Sequence, residues 1–99
     1  MSPRDVRYIE VSWIHEFRDE PIRLVSELDP ESFESRKLEF FRDGSVGFAS
    51  HDVHSGGTEL GTCEIPPLSK INSSGEFSSK EISKAEFEML WYKYAKSDS

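Results

Sequence analysis

Cysteine and long apolar runs are what this sequence has least of. A single cysteine, Cys63, occurs in 99 residues, which excludes an internal disulfide and leaves no second thiol for a metal site. No apolar segment approaches the roughly 18 residues that a membrane-spanning helix needs. The N-terminal residues also lack the apolar stretch of a secretory signal. These absences favour a cytoplasmic protein with no membrane partner.

Positive charge is scarce as well. Twelve basic residues stand against 19 acidic ones, giving a formal net charge of −7. Such a field repels phosphate backbones, so nucleic acid is a disfavoured partner. It attracts basic proteins and accelerates their encounter, although net charge of this size also serves solubility alone. Composition therefore leaves two interpretations open, an acidic binding surface and an ordinary solvated one.

The length and the aromatic content predict one small domain. With 12% aromatic and 35% hydrophobic residues, the chain has material for a single core. We predict an α+β domain over residues 1–99, in which an antiparallel meander of about four strands is covered by one C-terminal amphipathic helix. Its core spans about residues 6–96, with a mobile loop at about 51–62 and a disordered tail at 97–99.

Alternation of apolar and polar residues predicts the first two strands. Residues 8–14 place Ile9, Val11 and Trp13 on one face, as in a half-buried strand. A polar segment follows and ends at a proline, which indicates a loop. Alternation resumes over residues 22–28, the predicted second strand.

An Asp43-Gly44 pair lies between two β-rich runs, and this predicts a hairpin with a two-residue type I′ turn. Counting outward from that turn pairs Phe41 with Val46. Phe41, Val46 and Phe48 would then form an apolar patch on the face away from the helix. Either the long loop or a second copy of the chain would cover it, so a homodimer is one expectation.

Between Asp52 and Lys80 the sequence is rich in small and polar residues, and only Gly61 to Ile65 is a candidate edge strand. His51 and His54 precede the glycine pair of this region. Zinc needs three or four ligands, so we expect neither a metal nor a cofactor. Whether His15 or the His51/His54 loop binds some other ligand is left open.

The C-terminal helix is the element with the strongest local signals. Ser83 as N-cap and Glu86 three residues later form a capping box, so the helix should begin at Ser83 or Lys84. Phe87, Leu90, Trp91 and Tyr94 recur at helical spacing, which predicts one apolar stripe against the sheet.

One functional hypothesis is a small hydrolase or ribonuclease-like enzyme. Histidine, glutamate and arginine on an antiparallel sheet can perform acid/base chemistry on a phosphate, and His15, Glu39 and Arg36 are the residues available for it. Arg36 and Glu39 have opposite parity on one strand, which places them on opposite faces of a flat sheet. The acidic net charge also argues against an RNA substrate.

Several segments together resemble a family of small bacterial proteins known as a domain of unknown function. The resemblance covers nearly the whole chain and implies no activity and no catalytic residues. It rests on Tyr8-Ile9-x-Val11-x-Trp13-Ile14-His15, Glu20-Pro21, Ser26-Glu27-Leu28-Asp29, Arg36-Lys37-x-Glu39-x-Phe41-x-Asp43-Gly44, Pro66-Pro67, Ile71-Asn72 and Glu81-Ile82-x-x-x-Glu86-Phe87-x-x-x-Trp91.

The other hypothesis, which we favour at this point, is a binding module. In size and charge the chain is similar to immunity proteins, which bind and block basic nuclease toxins. Acidic residues would attract the basic partner, and Phe17 or Trp13 would serve as an aromatic anchor. The predicted partner-binding residues are Glu16, Phe17, Asp19, Glu20, Asp29 and Glu31.

Overall fold

The computed structural model describes residues 6–51, 54–55, 58–62 and 64–96, which form an α+β fold. The helices are α1 (Leu68–Asn72) and α2 (Lys84–Trp91), and α2 continues into a π-helical turn, Tyr92–Lys96. No helix among these residues is long and apolar enough to cross a bilayer. The strands are β1 (Arg7–Trp13), β2 (Pro21–Leu28), β3 (Glu34–Phe41), β4 (Val46–Ser50), β5 (His54–Ser55) and β6 (Phe77–Glu81).

The strands form one antiparallel sheet in the order β5-β4-β3-β2-β1-β6. Strands β1 to β4 are the predicted meander. The prediction missed β5, which pairs with β4 within the segment predicted as a loop, and β6, which returns to pair with β1 at the far edge of the sheet. Phe77 is its only apolar residue, and polar, charged sequences are typical of exposed edges. The predicted edge strand at Gly61 to Ile65 is wrong, because the edges are β5 and β6.

The turn between β3 and β4 differs from the predicted type I′ turn. The backbone N–H of Phe41 donates to the carbonyl of Ser45, and that of Gly44 donates to the carbonyl of Phe41, both at 3.0 Å. Gly44 has a φ of 93°, whereas Asp43 stays at negative φ. Three residues therefore form the loop, as a type I turn followed by a left-handed glycine.

The extra loop residue shifts the register of the hairpin by one. Phe40 lies opposite Val46, and Leu38 lies opposite Phe48. Residues opposite each other share a face, so all four side chains point toward α2 and pack into the helix-side core. The predicted apolar patch of Phe41, Val46 and Phe48 is therefore wrong, and the expectation of a homodimer loses its basis.

We expect a Gly44→Ala substitution to lower the free energy of unfolding by about 1–2 kcal/mol. A methyl group at Gly44 would meet open space, so the cost comes from the positive φ alone. Gly44→Asn is the matched control and should lose less, because asparagine tolerates this conformation. Urea denaturation of the three proteins would measure the difference, and equal stability of the parent and the alanine variant would contradict the turn assignment.

Helix α2 begins where the sequence predicts. The Ser83 hydroxyl accepts a hydrogen bond from the Glu86 backbone N–H at 3.0 Å, which satisfies one of the free N–H groups at the helix start. Phe87 is fully buried, and its ring stacks with that of Trp91. The predicted stripe is confirmed, since Phe87 and Trp91 join Tyr8, Val25 and Leu38 in one core cluster, with Leu90 and Tyr94 packed against it.

The second face of the sheet is partly covered by the described residues of the segment 58–74, a layer that the sequence does not predict. Helix α1 lies in this segment and is fastened to β6, because the Asn72 side chain accepts a hydrogen bond from the Ser79 hydroxyl at 2.9 Å. Ile9, Val11 and Trp13 belong to this face. The layer therefore covers part of the apolar side of β1, where Ile9 is fully buried and Val11 is half-buried.

Candidate functional site

Four of the six predicted partner-binding residues lie on one exposed loop between β1 and β2. Glu16, Phe17, Asp19 and Glu20 are all exposed there. The Phe17 side chain is 62% exposed, and Ile14 on the same loop is 65% exposed. Apolar groups surrounded by charged residues resemble the core and rim of a protein interface.

His15 holds this loop in one conformation. Its Nδ1 accepts a hydrogen bond from the Phe17 backbone N–H at 2.9 Å, and its Nε2 lies 2.8 Å from the carbonyl oxygen of Pro21. Because Nδ1 accepts, Nε2 is the ring nitrogen that donates to Pro21. The Arg42 guanidinium donates to the His15 carbonyl at 2.7 Å. Both ring nitrogens of His15 are thus occupied in ordering the loop.

A row of aromatic rings connects the loop to the sheet. Trp13 stacks on Phe77 of β6, with 5.6 Å between ring centroids. The His15 ring lies 4.2 Å from Trp13, and the Phe17 ring lies 5.4 Å from His15. Trp13 is half-buried and supports the row, and Phe17 is its exposed end.

Asp29 and Glu31 occupy a different surface. They lie in the turn after β2, and the Asp29 carboxylate accepts hydrogen bonds from the backbone N–H groups of Glu31 and Phe33 at 2.8 and 3.0 Å. This turn is at the opposite end of β2 from the β1–β2 loop, roughly 23 Å away for a strand of this length. The six residues therefore do not form one continuous patch, and the Asp29 carboxylate stabilises the backbone of its own turn.

Arg36 is part of the contact between the sheet and α2. Its guanidinium donates two hydrogen bonds to Glu27, at 2.9 and 2.7 Å, and two to Glu88 of α2, at 3.1 and 2.7 Å. It also lies 4.8 Å from the centre of the Phe87 ring. Hydrogen bonds from Arg36 lower the pKa of Glu27 and that of Glu88, and those with Glu27 are the main cause of its own raised pKa.

Glu39 lies on the other face of the sheet, as strand parity predicts. Its carboxylate accepts a hydrogen bond from the Thr58 hydroxyl at 2.8 Å. His15 lies beside Pro21, whereas Arg36 pairs with Glu27 six residues further along β2. The three residues of the hydrolase hypothesis therefore do not meet in one place.

No group of three or more histidine, cysteine, aspartate or glutamate side chains is placed to hold a metal ion among the residues that the structure describes. In the loop predicted to contain His51 and His54, His51 is exposed. His54 belongs to β5, and its backbone pairs with that of Ala49 in β4. Asp52, Val53, Gly56, Gly57 and Cys63, and the tail at 97–99, lie outside the described residues.

The structure also contains a cleft that the sequence does not predict. It lies between the second face of the sheet and α1, has a volume of about 440 Å³, and is called the α1 cleft below. The sequence gives little indication of this cleft, because its lining residues are scattered over four strands and the irregular segment. They are Ile9, Val11, Leu24, Ser26, Glu34, Ile65, Pro66, Lys70, Ile71, Ser74 and Phe77.

The resemblance drawn from the segments between Tyr8 and Trp91 is confirmed by comparison with protein families. One family model matches residues 7–96, almost the entire chain. No curated protein and no solved structure matches it. The chain belongs to the family DUF6881, a domain of unknown function.

Proposed function

We propose that this protein is a binding module that docks onto a basic protein through its β1–β2 loop. One observation carries the proposal. Ile14 at the start of the loop and Phe17 within it are exposed, His15 holds the loop in place, and the exposed acids Glu16, Asp19 and Glu20 lie in the same loop.

The two kinds of side chain would contribute differently to binding. Aromatic side chains at the centre of an interface carry much of the binding free energy, whereas charged groups at the rim mainly increase the association rate. A loop that is already ordered loses less conformational entropy on binding. The hydrogen bonds of His15 therefore favour a preformed docking surface.

The most concrete form of the proposal is an immunity-type protein that neutralises a basic nuclease toxin. The net charge of −7 supports it, because it would attract a basic domain to the protein. We do not propose the hydrolase or ribonuclease-like alternative, since His15, Arg36 and Glu39 lie apart.

We expect the protein to capture a specific basic partner from a lysate of its own host. A loop variant should lose this capture; it combines Glu16→Lys, Asp19→Lys and Glu20→Lys. The matched control carries Glu59→Lys, Glu64→Lys and Glu81→Lys, three exposed acids elsewhere that change the net charge equally. In a third variant, Phe17→Ala should weaken affinity by about thirtyfold, as expected for an interface hot spot. Surface plasmon resonance on the recovered partner measures each affinity at low and at physiological salt.

The variants separate the proposal from simple charge attraction. If the control loses the partner as fully as the loop variant, net charge explains the binding and the loop does not. Recovery of no protein by the parent in either buffer would refute a tight complex. If the partner is a nuclease, the parent should inhibit it and the loop variant should not.

A further inference from the structure

The α1 cleft lies apart from the residues used in the proposed function, and its dimensions suit a small molecule. Ligand-binding clefts commonly enclose about 300–1,000 Å³ and are lined mainly by apolar side chains with a few polar groups. The α1 cleft, at about 440 Å³, has this composition.

The walls of the cleft are incompletely covered apolar side chains. Val11 and Leu24 from the sheet, Phe77 from β6, and Ile65 and Ile71 from the covering segment are each only half-buried. Helix α1 buries none of its own residues. A hydrocarbon group placed between the two layers would remove these surfaces from water, which is the main source of affinity in apolar pockets.

The polar end of the cleft is formed by Ser26 and Glu34, which are 3% and 8% exposed. The Oε1 atom of Glu34 accepts a hydrogen bond from the Gly61 N–H at 2.6 Å and lies 3.1 Å from the Lys37 ammonium. Its Oε2 atom accepts a longer bond of 3.3 Å from the Ser26 hydroxyl. Oε2 can therefore accept a further hydrogen bond.

The charges next to Glu34 sum to a negative value. Lys37 lies between Glu34 and Glu39, at 3.1 and 3.9 Å from their oxygens, so this group contains two carboxylates and one ammonium in the described part of the chain. Lys70 also lines the cleft but is exposed, and water screens its charge. A ligand with a cationic group would therefore complement the charge at this end of the cleft.

We infer that the α1 cleft binds a small amphiphilic amine, with its hydrocarbon part between the sheet and α1 and its ammonium donating to Oε2 of Glu34. A charged donor to a buried carboxylate makes a stronger hydrogen bond than a neutral donor does. The inference does not depend on the β1–β2 loop and can fail or succeed without it.

The test compares octylamine, octanol and octanoate, which share a hydrocarbon chain and differ in their heads. Isothermal titration calorimetry gives the affinities, and methyl NMR shifts of Val11, Leu24, Ile65 and Ile71 locate the bound molecule. At pH 7, where octylamine is a cation, we expect it to bind at least about tenfold more tightly than octanol. Tighter binding of octanoate, or no binding of any probe, would overturn the inference.

Two variants test the location and the head group. Val11→Phe adds a ring inside the cleft and should abolish binding, whereas Val6→Phe, at a position 44% exposed outside the cleft, should leave it unchanged. Glu34→Gln should bring the amine to the affinity of the alcohol. If Glu34→Gln fails to fold, Val11→Phe and its control still decide the location. Unchanged octylamine binding by Val11→Phe would contradict the proposed site.

Discussion

Replacing Trp91 by alanine is expected to cost about 3–5 kcal/mol of the free energy of unfolding, the usual range for deleting a large buried aromatic side chain. Only 7% of Trp91 is exposed. Its ring packs edge-on against Phe48 at 5.8 Å and stacks on Phe87 at 6.1 Å, and the Arg36 guanidinium lies 5.2 Å from its centre. Since domains of this size are stable by only about 5–15 kcal/mol, the variant should be partly unfolded at 37 °C.

The next residue supplies the matched control. Tyr92 is also aromatic and lies at the same end of the helix, but it is 68% exposed, so Tyr92→Ala should change stability by no more than about 0.5 kcal/mol. Urea denaturation followed by far-ultraviolet circular dichroism measures both variants. A Trp91→Ala protein with the midpoint of the parent would show that α2 is not needed to close the core.

The sequence predicts α2 accurately because its signals are local. The N-cap at Ser83, the acidic residue at Glu86 and the apolar stripe ending at Tyr94 all lie within twelve residues. The capping box and the stripe each favour a helix there. The β3–β4 hairpin shows the limit of such signals. Asp43-Gly44 correctly indicates a reversal, but the pair is compatible with loops of two or three residues. The choice between them decides which side chains face the helix.

Alternation along a strand shows which residues share a face but not what covers that face. Ile9, Val11 and Trp13 look like a helix-facing set, yet they lie on the face away from α2. Ile9 and Val11 line the cleft beside α1, Trp13 stacks on Phe77 of β6, and Tyr8 on the other face contacts Phe87 of α2. The covering layer depends on hydrogen bonds between distant residues, such as Gly61 to Glu34. Such contacts leave no periodic pattern in the sequence.

The β1–β2 loop can be predicted as an exposed loop because its acidic residues and Phe17 are neighbours in the chain. Asp29 and Glu31 lie apart from them because successive turns of a meander lie at alternate ends of the sheet. The α1 cleft could not be predicted, since its lining is distributed over distant strands and the irregular segment. Local composition thus locates a surface loop, whereas a cleft between layers requires the fold.

Replacing Arg36 by methionine is expected to cost about 2–3 kcal/mol at pH 7, because a largely buried carboxylate would lose its charged partner. The side chains of Arg36 and Glu27 are 21% and 14% exposed, so solvent screens this pair only in part. Methionine retains the apolar contact with Phe87 but no donor. The control is Arg23→Met, which breaks a 2.8 Å pair with Glu10 at a position 37% exposed, and should cost less than about 1 kcal/mol.

The pH dependence of that loss identifies its cause. Arg36 holds the pKa of Glu27 and of Glu88 below the ordinary value of 4.5. A carboxylate with a lowered folded-state pKa stabilises the fold above its unfolded pKa, and this contribution is lost as the pH falls through the folded pKa. The difference in stability between the parent and Arg36→Met should therefore be largest at neutral pH and shrink below about pH 4.5.

Chemical denaturation of the parent and of Arg36→Met at pH 7, 5 and 3 would measure how their difference in stability changes with pH. In the variant, protonation of an unpaired Glu27 relieves the cost of burying its charge, so acid should harm the variant less than the parent. If the difference in free energy of unfolding between the parent and the variant stayed constant across this pH range, Arg36 would act only through packing on Phe87 and Trp91. A converging gap would establish Arg36 as the electrostatic link between β2, β3 and α2, which is a sufficient reason for an arginine at this position without any catalytic role.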